Sequence, residues 1–301
     1  MNAATDEPRG GAASERSRPR GPAYVQRPGG RVDAERPAIQ RGTLPGDQLT
    51  RTEKLSLLGI DWDWSGVDLT VIGGRNDSSM VERSLARFRA NLAVIIWDAA
   101  RLEGNNFTLP EVQTLLDGVT VEGKKIEDQQ QVLALNEAYK QLERLVRTGD
   151  FMLTKQVSDE LHRLVARHEA IESGGFRGEG SVNGGGSVRL SSGGVVDGRE
   201  HGQGGSLLIE AFNDLMDYLG GVDDPRQRAL LYAASATRHQ FYFDGNKRTA
   251  KLMASGILMS AGFSAISVPY SRLYEQNVSL DRLFSTDDAT SYMNLLADCA
   301  R

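Results

Sequence analysis

One segment, Thr249–Ala261, is apolar on most sides, with Leu252, Met253, Ile257 and Leu258 spread around a helical repeat. A helix of that kind has no solvent face and belongs at the centre of a packed bundle. Directly ahead of it stands His239-Gln240-Phe241-Tyr242-Phe243-Asp244-Gly245-Asn246-Lys247-Arg248-Thr249. Here an imidazole, a carboxylate, a glycine, an amide and two cations fall within one tight loop. A loop that feeds a helix N-terminus presents unpaired N–H groups at the positive end of the helix dipole. Such a place binds anions, and phosphate is the usual one. A charged turn before a core helix would share part of this pattern, but the density of complementary groups favours the anion site.

The rest of the chain is read around that loop. Residues 1–50 are rich in Pro, Gly, Arg and Asp without any period, a composition expected to remain a disordered tail. Trp62 and Trp64, among Leu55, Leu57, Leu58 and Ile60, make a short apolar piece expected to dock as a loop or short helix. After Asn76–Ser79, the residues Val81, Leu85, Phe88, Leu92, Ile95, Ala99 and Leu102 recur at steps of four and three. That spacing predicts one long amphipathic helix over about 77–104, stopped by Gly104 and Asn105. Glu103 at its C-terminal end opposes the helix dipole, so its carboxylate is expected to have a cationic partner elsewhere. Further helices are expected over 111–116, 127–147 and 154–169. His168 extends the apolar stripe of the third and is read as packed; His162 falls off it and is read as solvated.

From Gly174 to Gly205, glycine and serine surround short alternating pieces, a pattern that suits a flexible hairpin serving as a linker or a lid, the lid being favoured because helices resume on both sides. Helices resume at Ser206–Leu219, then after Asp223-Asp224-Pro225, where an acid and a proline mark a helix start. Two more follow, around Tyr274–Leu283 and Ala289–Ala300. The fold class is therefore all-α with one small β-hairpin, and nothing alternates strand with helix as a parallel sheet would.

Composition closes off several classes of function. The net charge of −5 argues against a protein that coats nucleic acid. The single cysteine, Cys299, precludes a disulfide within the chain and fits a reducing, cytoplasmic setting. No apolar run reaches the length of a membrane span, and the N-terminus has no apolar segment after its arginines.

The stretch His239–Thr249 resembles the signature of the Fic (Fido) family, His-x-Phe-x-Asp/Glu-Gly-Asn-Gly-Arg-x-x-Arg, with Asp244, Gly245, Asn246 and Arg248 in step. Glu103-Gly104-Asn105 resembles that family's inhibitory motif at the end of an N-terminal helix. Gly174-Gly175-Phe176-Arg177, opening the glycine-rich hairpin, resembles its target-binding flap, to which Arg177, Val182 and Val188 would belong. Tyr274 and Asn277 sit where the family touches the nucleotide base. The resemblance covers about residues 80–300. It implies an N-terminal helical region over 51–150 and a catalytic domain over 151–301. The implied activity is transfer of AMP from ATP to a Ser, Thr or Tyr hydroxyl of a target protein, with self-association as a homodimer left open. His239 would be the general base and Asp244 the Mg²⁺ ligand. Gly245, Asn246, Lys247, Arg248 and Lys251 would hold phosphates. Glu103 would block ATP by pairing with Lys251 or Arg248.

Three departures keep alternatives open. Four residues, not three, separate His239 from Asp244, so strict register puts Gln240 at the base position. Lys247 stands in place of a glycine, which resembles the Doc-like branch of protein kinases, although that branch has alanine where Gly245 stands. Lys251 replaces the second arginine and loses its fork, and Ala99 replaces the hydroxyl residue of the inhibitory motif. A Doc-like kinase and an inactive nucleotide- or protein-binding module are the two other readings.

Overall fold

The computed structural model describes residues 54–301, and the disordered-tail expectation for residues 1–50 lies outside the described residues. Two antiparallel strands open this part, β1 (Lys54–Leu57) and β2 (Ile60–Asp63). Helices α1 (Val81–Ala90), α2 (Leu92–Leu102), α3 (Leu109–Leu116), α4 (Ile126–Thr148) and α5 (Lys155–Val165) follow. A second antiparallel pair, β3 (Ser187–Arg189) and β4 (Val195–Asp197), precedes α6 (Ser206–Gly220), α7 (Pro225–His239), α8 (Asn246–Ser260), α9 (Leu273–Thr286) and α10 (Thr290–Asp298). The mainly helical fold with a small hairpin is the expected class.

The described residues, 54–301, belong to one compact unit, so the regions expected on either side of residue 150 share a core. Its axis is the α7–α8 pair, joined by the signature loop. α7 starts as expected, with the Asp224 side chain accepting the Arg226 N–H and Pro225 at the first turn. From Ala229 to its end α7 is buried, as is nearly all of α8. α4 packs against α5 and α8, and α10 against α7.

Three expectations change. The helix expected over 77–104 is two, because Asn91 leaves helical geometry (φ −106°, ψ 6°); the Ile95 N–H still reaches the Asn91 carbonyl, so the joint is a kink. The tryptophan-bearing piece is the β1–β2 hairpin, turned by Leu58 and Gly59 at positive φ. It is stitched to the corner between α9 and α10: Asp61 N–H donates to the Asp287 carbonyl at 2.8 Å, and Ala289 N–H to the Asp61 carbonyl at 2.7 Å. α5 stops at Val165, short of the expected Glu169, and that early stop frees a loop that matters below. No helix among the described residues is long and apolar enough to cross a membrane.

Candidate functional site

The signature loop runs from the C-terminus of α7 to the N-terminus of α8. Gly245 precedes α8 at φ 73°, the left-handed region that favours glycine, and a Cβ there would stand 3.2 Å from the Ala166 side chain. No side chain caps α8, so its first N–H groups keep their anion-binding character. Just ahead of them, Asp244 Oδ1 accepts the Gly245 N–H at 2.6 Å.

Asn246, expected to hold phosphate, engages its side-chain amide within the loop. Its Oδ1 accepts the Tyr242 N–H at 2.8 Å, and its Nδ2 donates to the Tyr242 carbonyl at 2.8 Å and to Gln240 Oε1 at 3.0 Å. The amide shapes the loop, leaving N–H groups and cations to meet an anion. Gln240 itself is buried, in a left-handed conformation at the end of α7 (φ 51°), with Nε2 on the Thr237 carbonyl at 2.6 Å.

His239 is buried at the last residue of α7. A carbonyl can only accept, so the 2.8 Å contact to the Ser235 carbonyl puts the proton on Nδ1 and the lone pair on Nε2. That tautomer suits a general base. The ring stacks on Phe241 (centroids 5.2 Å apart), which stacks on Phe176. Burial pushes its pKa down to about 4, and the nearby Arg199 and Arg238 push the same way.

The cationic side of the site is formed by Lys247, Arg248 and Lys251. Glu103, at the end of α2, reaches into it: Oε2 lies 3.3 Å from Lys247 Nζ, and its side chain is 18% exposed. The partner expected was Lys251 or Arg248. Lys247 takes the contact instead, while the other two act through their field. Burial alone would raise the Glu103 pKa, but Lys247, Arg248 and Lys251 together outweigh it and hold the carboxyl below its usual range. Glu103 Oε1 is buried without a hydrogen-bond partner among the described residues. Lys251 is buried, with Nζ 3.4 Å from Gln276 Oε1; burial brings its pKa down to about 8 against the attraction of Glu103. Arg248 is held by Glu169 in a two-point ion pair at 2.6 and 2.7 Å.

Three of these contributors escaped the sequence reading. His162, read as solvated, is 0% exposed, whereas His168, read as packed, is exposed. His162 Nδ1 accepts the Gly174 N–H at 2.9 Å, so its Nε2–H donates to the Asp244 carbonyl at 2.8 Å. The ring also stacks on Tyr242, centroids 3.8 Å apart, and so ties the root of the flap to the signature loop. Glu169 was placed inside a helix. Arg177, read as a flap residue that meets the target, is buried beneath the loop instead. Its guanidinium donates to the carbonyls of Gln240 (2.6 Å) and His239 (3.2 Å), which at the end of α7 need donors, and to that of Arg199 (2.7 Å) in the segment after β4.

The flap lies where a lid would. Gly186 N–H donates to the Phe243 carbonyl at 3.0 Å, and the turn between β3 and β4 is fixed to α9 by Asp281, which accepts from Ser191 and Ser192. Val188 is half-buried on β3, and Val182 lies ahead of that strand. Tyr274, 82% exposed, and the half-buried Asn277 stand on α9, the same helix that anchors the flap turn.

This helical frame, with its loop at the root of a buried helix, has the Fic fold. It is similar to Fic-1 (aa134 - 508) from C. elegans, with a TM-score of 0.58 at 21% identity, covering 74% of this chain and 63% of that one. It is equally similar to a Fic domain containing signaling protein from Bacteroides thetaiotaomicron, TM-score 0.57 at 20% identity over 74% of this chain and 87% of that one. Among curated proteins, it is 27% identical to the protein adenylyltransferase Fic of Drosophila willistoni over 208 residues, 68% of this chain and 39% of that protein. The Aedes aegypti protein of the same name is 26% identical over 229 residues, 74% of this chain and 43% of that protein. The matches thus span about two fifths of these curated relatives. No protein-family model matches the chain. By fold and by sequence, the chain is similar to proteins of the Fic (Fido) family.

Proposed function

We propose that this protein is a protein adenylyltransferase, moving AMP from ATP to a hydroxyl side chain of a target protein, and that Glu103 holds it in a resting state. The observation that carries the reading is the Glu103–Lys247 contact, a carboxylate set on the cations beside the uncapped N-terminus of α8. A carboxylate there occupies ground that a nucleotide phosphate would need. With Glu103 withdrawn, the α8 N–H groups, Lys247, Arg248 and Lys251 would bind the phosphates and stabilise charge as the bond to the leaving pyrophosphate breaks. His239 Nε2, carrying its lone pair, would take the proton of the target hydroxyl. Tyr274 and Asn277 on α9 would meet the base.

Asp244 is exposed at the mouth of the loop, a single carboxylate with one oxygen engaged locally. That fits Mg²⁺, which keeps one or two protein carboxylates and takes its other ligands from water and phosphate. The ion, arriving with ATP, would neutralise phosphate charge.

The register of the loop favours a second reading, a nucleotide- or protein-binding module without the chemistry. Counted back from Asp244, Gln240 stands at the base position, and its amide is tied to Asn246 and Thr237 while His239 packs on Phe241. The kinase reading has less support, since the Doc-like alanine would be strained at the φ of Gly245.

Incubation with ATP labelled separately at the α- or γ-phosphate distinguishes the three. Label from the α position alone is expected, raised at least severalfold by Glu103→Gly and lost in His239→Ala. Label from γ alone would mean phosphorylation. No label in any variant, with ATP still bound, would establish the binding module.

A further inference from the structure

The loop between α5 and the flap carries two carboxylates that the proposed reaction does not use. Beyond Val165 the chain turns, with the N–H groups of Glu169 and Ala170 on the Ala166 carbonyl. The turn brings Glu169 to α8. Its two oxygens accept from Nη1 and Nη2 of Arg248 at 2.6 and 2.7 Å, the paired geometry in which arginine holds a carboxylate or a phosphate. Arg248 is 3% exposed on its side chain and Glu169 23%, while Arg248 Nε is buried without a hydrogen-bond partner among the described residues. The arginine in the first turn of the anion-binding helix is therefore occupied by an acid with a two-oxygen footprint.

Three residues further on, Glu172 grips the flap. Its Oε1 accepts from the Ser181 N–H at 2.8 Å, from Ser181 Oγ at 3.1 Å and from the Val182 N–H at 3.1 Å. The same loop ends at Gly174, whose N–H donates to His162. One short segment thus holds the anion helix with one carboxylate and the flap with the next.

We propose that Glu169 is a second gate on the phosphate site, separate from Glu103, and that Glu172 links its release to the flap. The inference rests on the reading of the α8 N-terminus as a nucleotide phosphate site. A phosphate oxygen pair and the Glu169 carboxylate compete for the same two Nη groups, and two anions cannot share them without strong repulsion. Binding therefore displaces Glu169 and moves the loop that carries Glu172, which disturbs the clasp on Ser181 and Val182. Glu103 comes from α2 and sits on Lys247, so its withdrawal leaves the Glu169 gate closed.

The test measures binding of ATP with Mg²⁺ and, separately, of inorganic triphosphate to the full chain by titration calorimetry. The proteins are wild type, Glu103→Gly, Glu169→Gln, and the double variant. A gate closed most of the time lowers apparent affinity by its open fraction, so Glu169→Gln is expected to tighten both probes about tenfold, on top of any gain from Glu103→Gly. Glu169→Asp keeps the charge but shortens its reach; it is expected to give a smaller gain, and carries the test if the glutamine variant does not fold. Tighter binding in Glu103→Gly with no gain from either Glu169 variant would overturn the gate and leave the phosphate site standing. No binding of either probe to any protein would overturn the phosphate site and the gate with it. Amide exchange at Ser181 and Val182 is expected to quicken in wild type when triphosphate binds, and to be already fast in Glu172→Gln. Exchange unmoved by triphosphate would overturn the link to the flap.

Discussion

Asn246 commits both of its side-chain polar atoms to the signature loop, with its partners on Tyr242 and Gln240 all buried. Replacing it with alanine leaves the Tyr242 N–H and carbonyl without partners away from water. Asn246→Ala is expected to lower unfolding stability by roughly 2–4 kcal/mol, read from denaturant unfolding. Gly245→Ala is expected to cost about 1 kcal/mol from the left-handed backbone, with the Ala166 contact adding to it. Unchanged stability in Gly245→Ala would mean the loop relaxes to an ordinary φ. At this scale the sequence was legible where chemistry is local. Gly245 before a helix and Glu103 beside Gly104 could be recognised because their meaning lies within a turn of them. His162, Glu169 and Arg177 could not, since each looks like a polar residue off an apolar stripe. Their partners stand 82, 79 and 63 residues away, and no periodicity encodes a pairing at that distance.

Among the elements, α2 is more than a carrier for Glu103. Its Asp98 Oδ1 accepts the Tyr270 N–H at 2.8 Å, its Arg101 lies 4.4 Å over the Tyr270 ring, and its Trp97 meets that ring edge-on. The turn holding Tyr270 leads directly into α9, which bears Tyr274, Asn277 and the Gln276 that touches Lys251. The helix that would inhibit is thus fastened to the helix that would hold the base. Tyr270→Ala is expected to loosen α2 and raise labelling by ATP, by less than Glu103→Gly does. A fall in labelling, with the fold intact, would mean that the contact instead supports α9. The elements themselves were read correctly where an apolar run or a cap marked them, as in α7 and α8. The kink at Asn91 and the β1–β2 hairpin were missed. The apolar pattern continues in phase across Asn91, whereas Ile60-Asp61-Trp62-Asp63 does alternate as a strand should, but each strand of the hairpin is only four residues long.

At the scale of the molecule, two buried imidazoles make stability depend on pH. His162 and His239 both have pKa values pushed down to about 4 by burial, against an ordinary value of 6.5. The unfolded chain therefore binds their protons first as pH falls. Their contribution is complete above about pH 6.5 and is lost as pH drops towards 4, at roughly 3 kcal/mol for each ring. Denaturant unfolding between pH 7 and pH 4 is expected to follow that slope, and His162→Gln should remove about half of it. Equal slopes in wild type and variant would mean that His162 finds water or a counter-charge when protonated. The same economy of charge has a consequence for how the protein lives without substrate. Glu103 and Glu169 stand among Lys247, Arg248 and Lys251, so the unliganded pocket supplies its own counter-ions. The folded chain can wait, nucleotide-free, without like charges driving α8 from its neighbours. With both acids removed, bound ATP should become a counter-ion that stabilises the fold, with a melting temperature that climbs steeply as nucleotide is added.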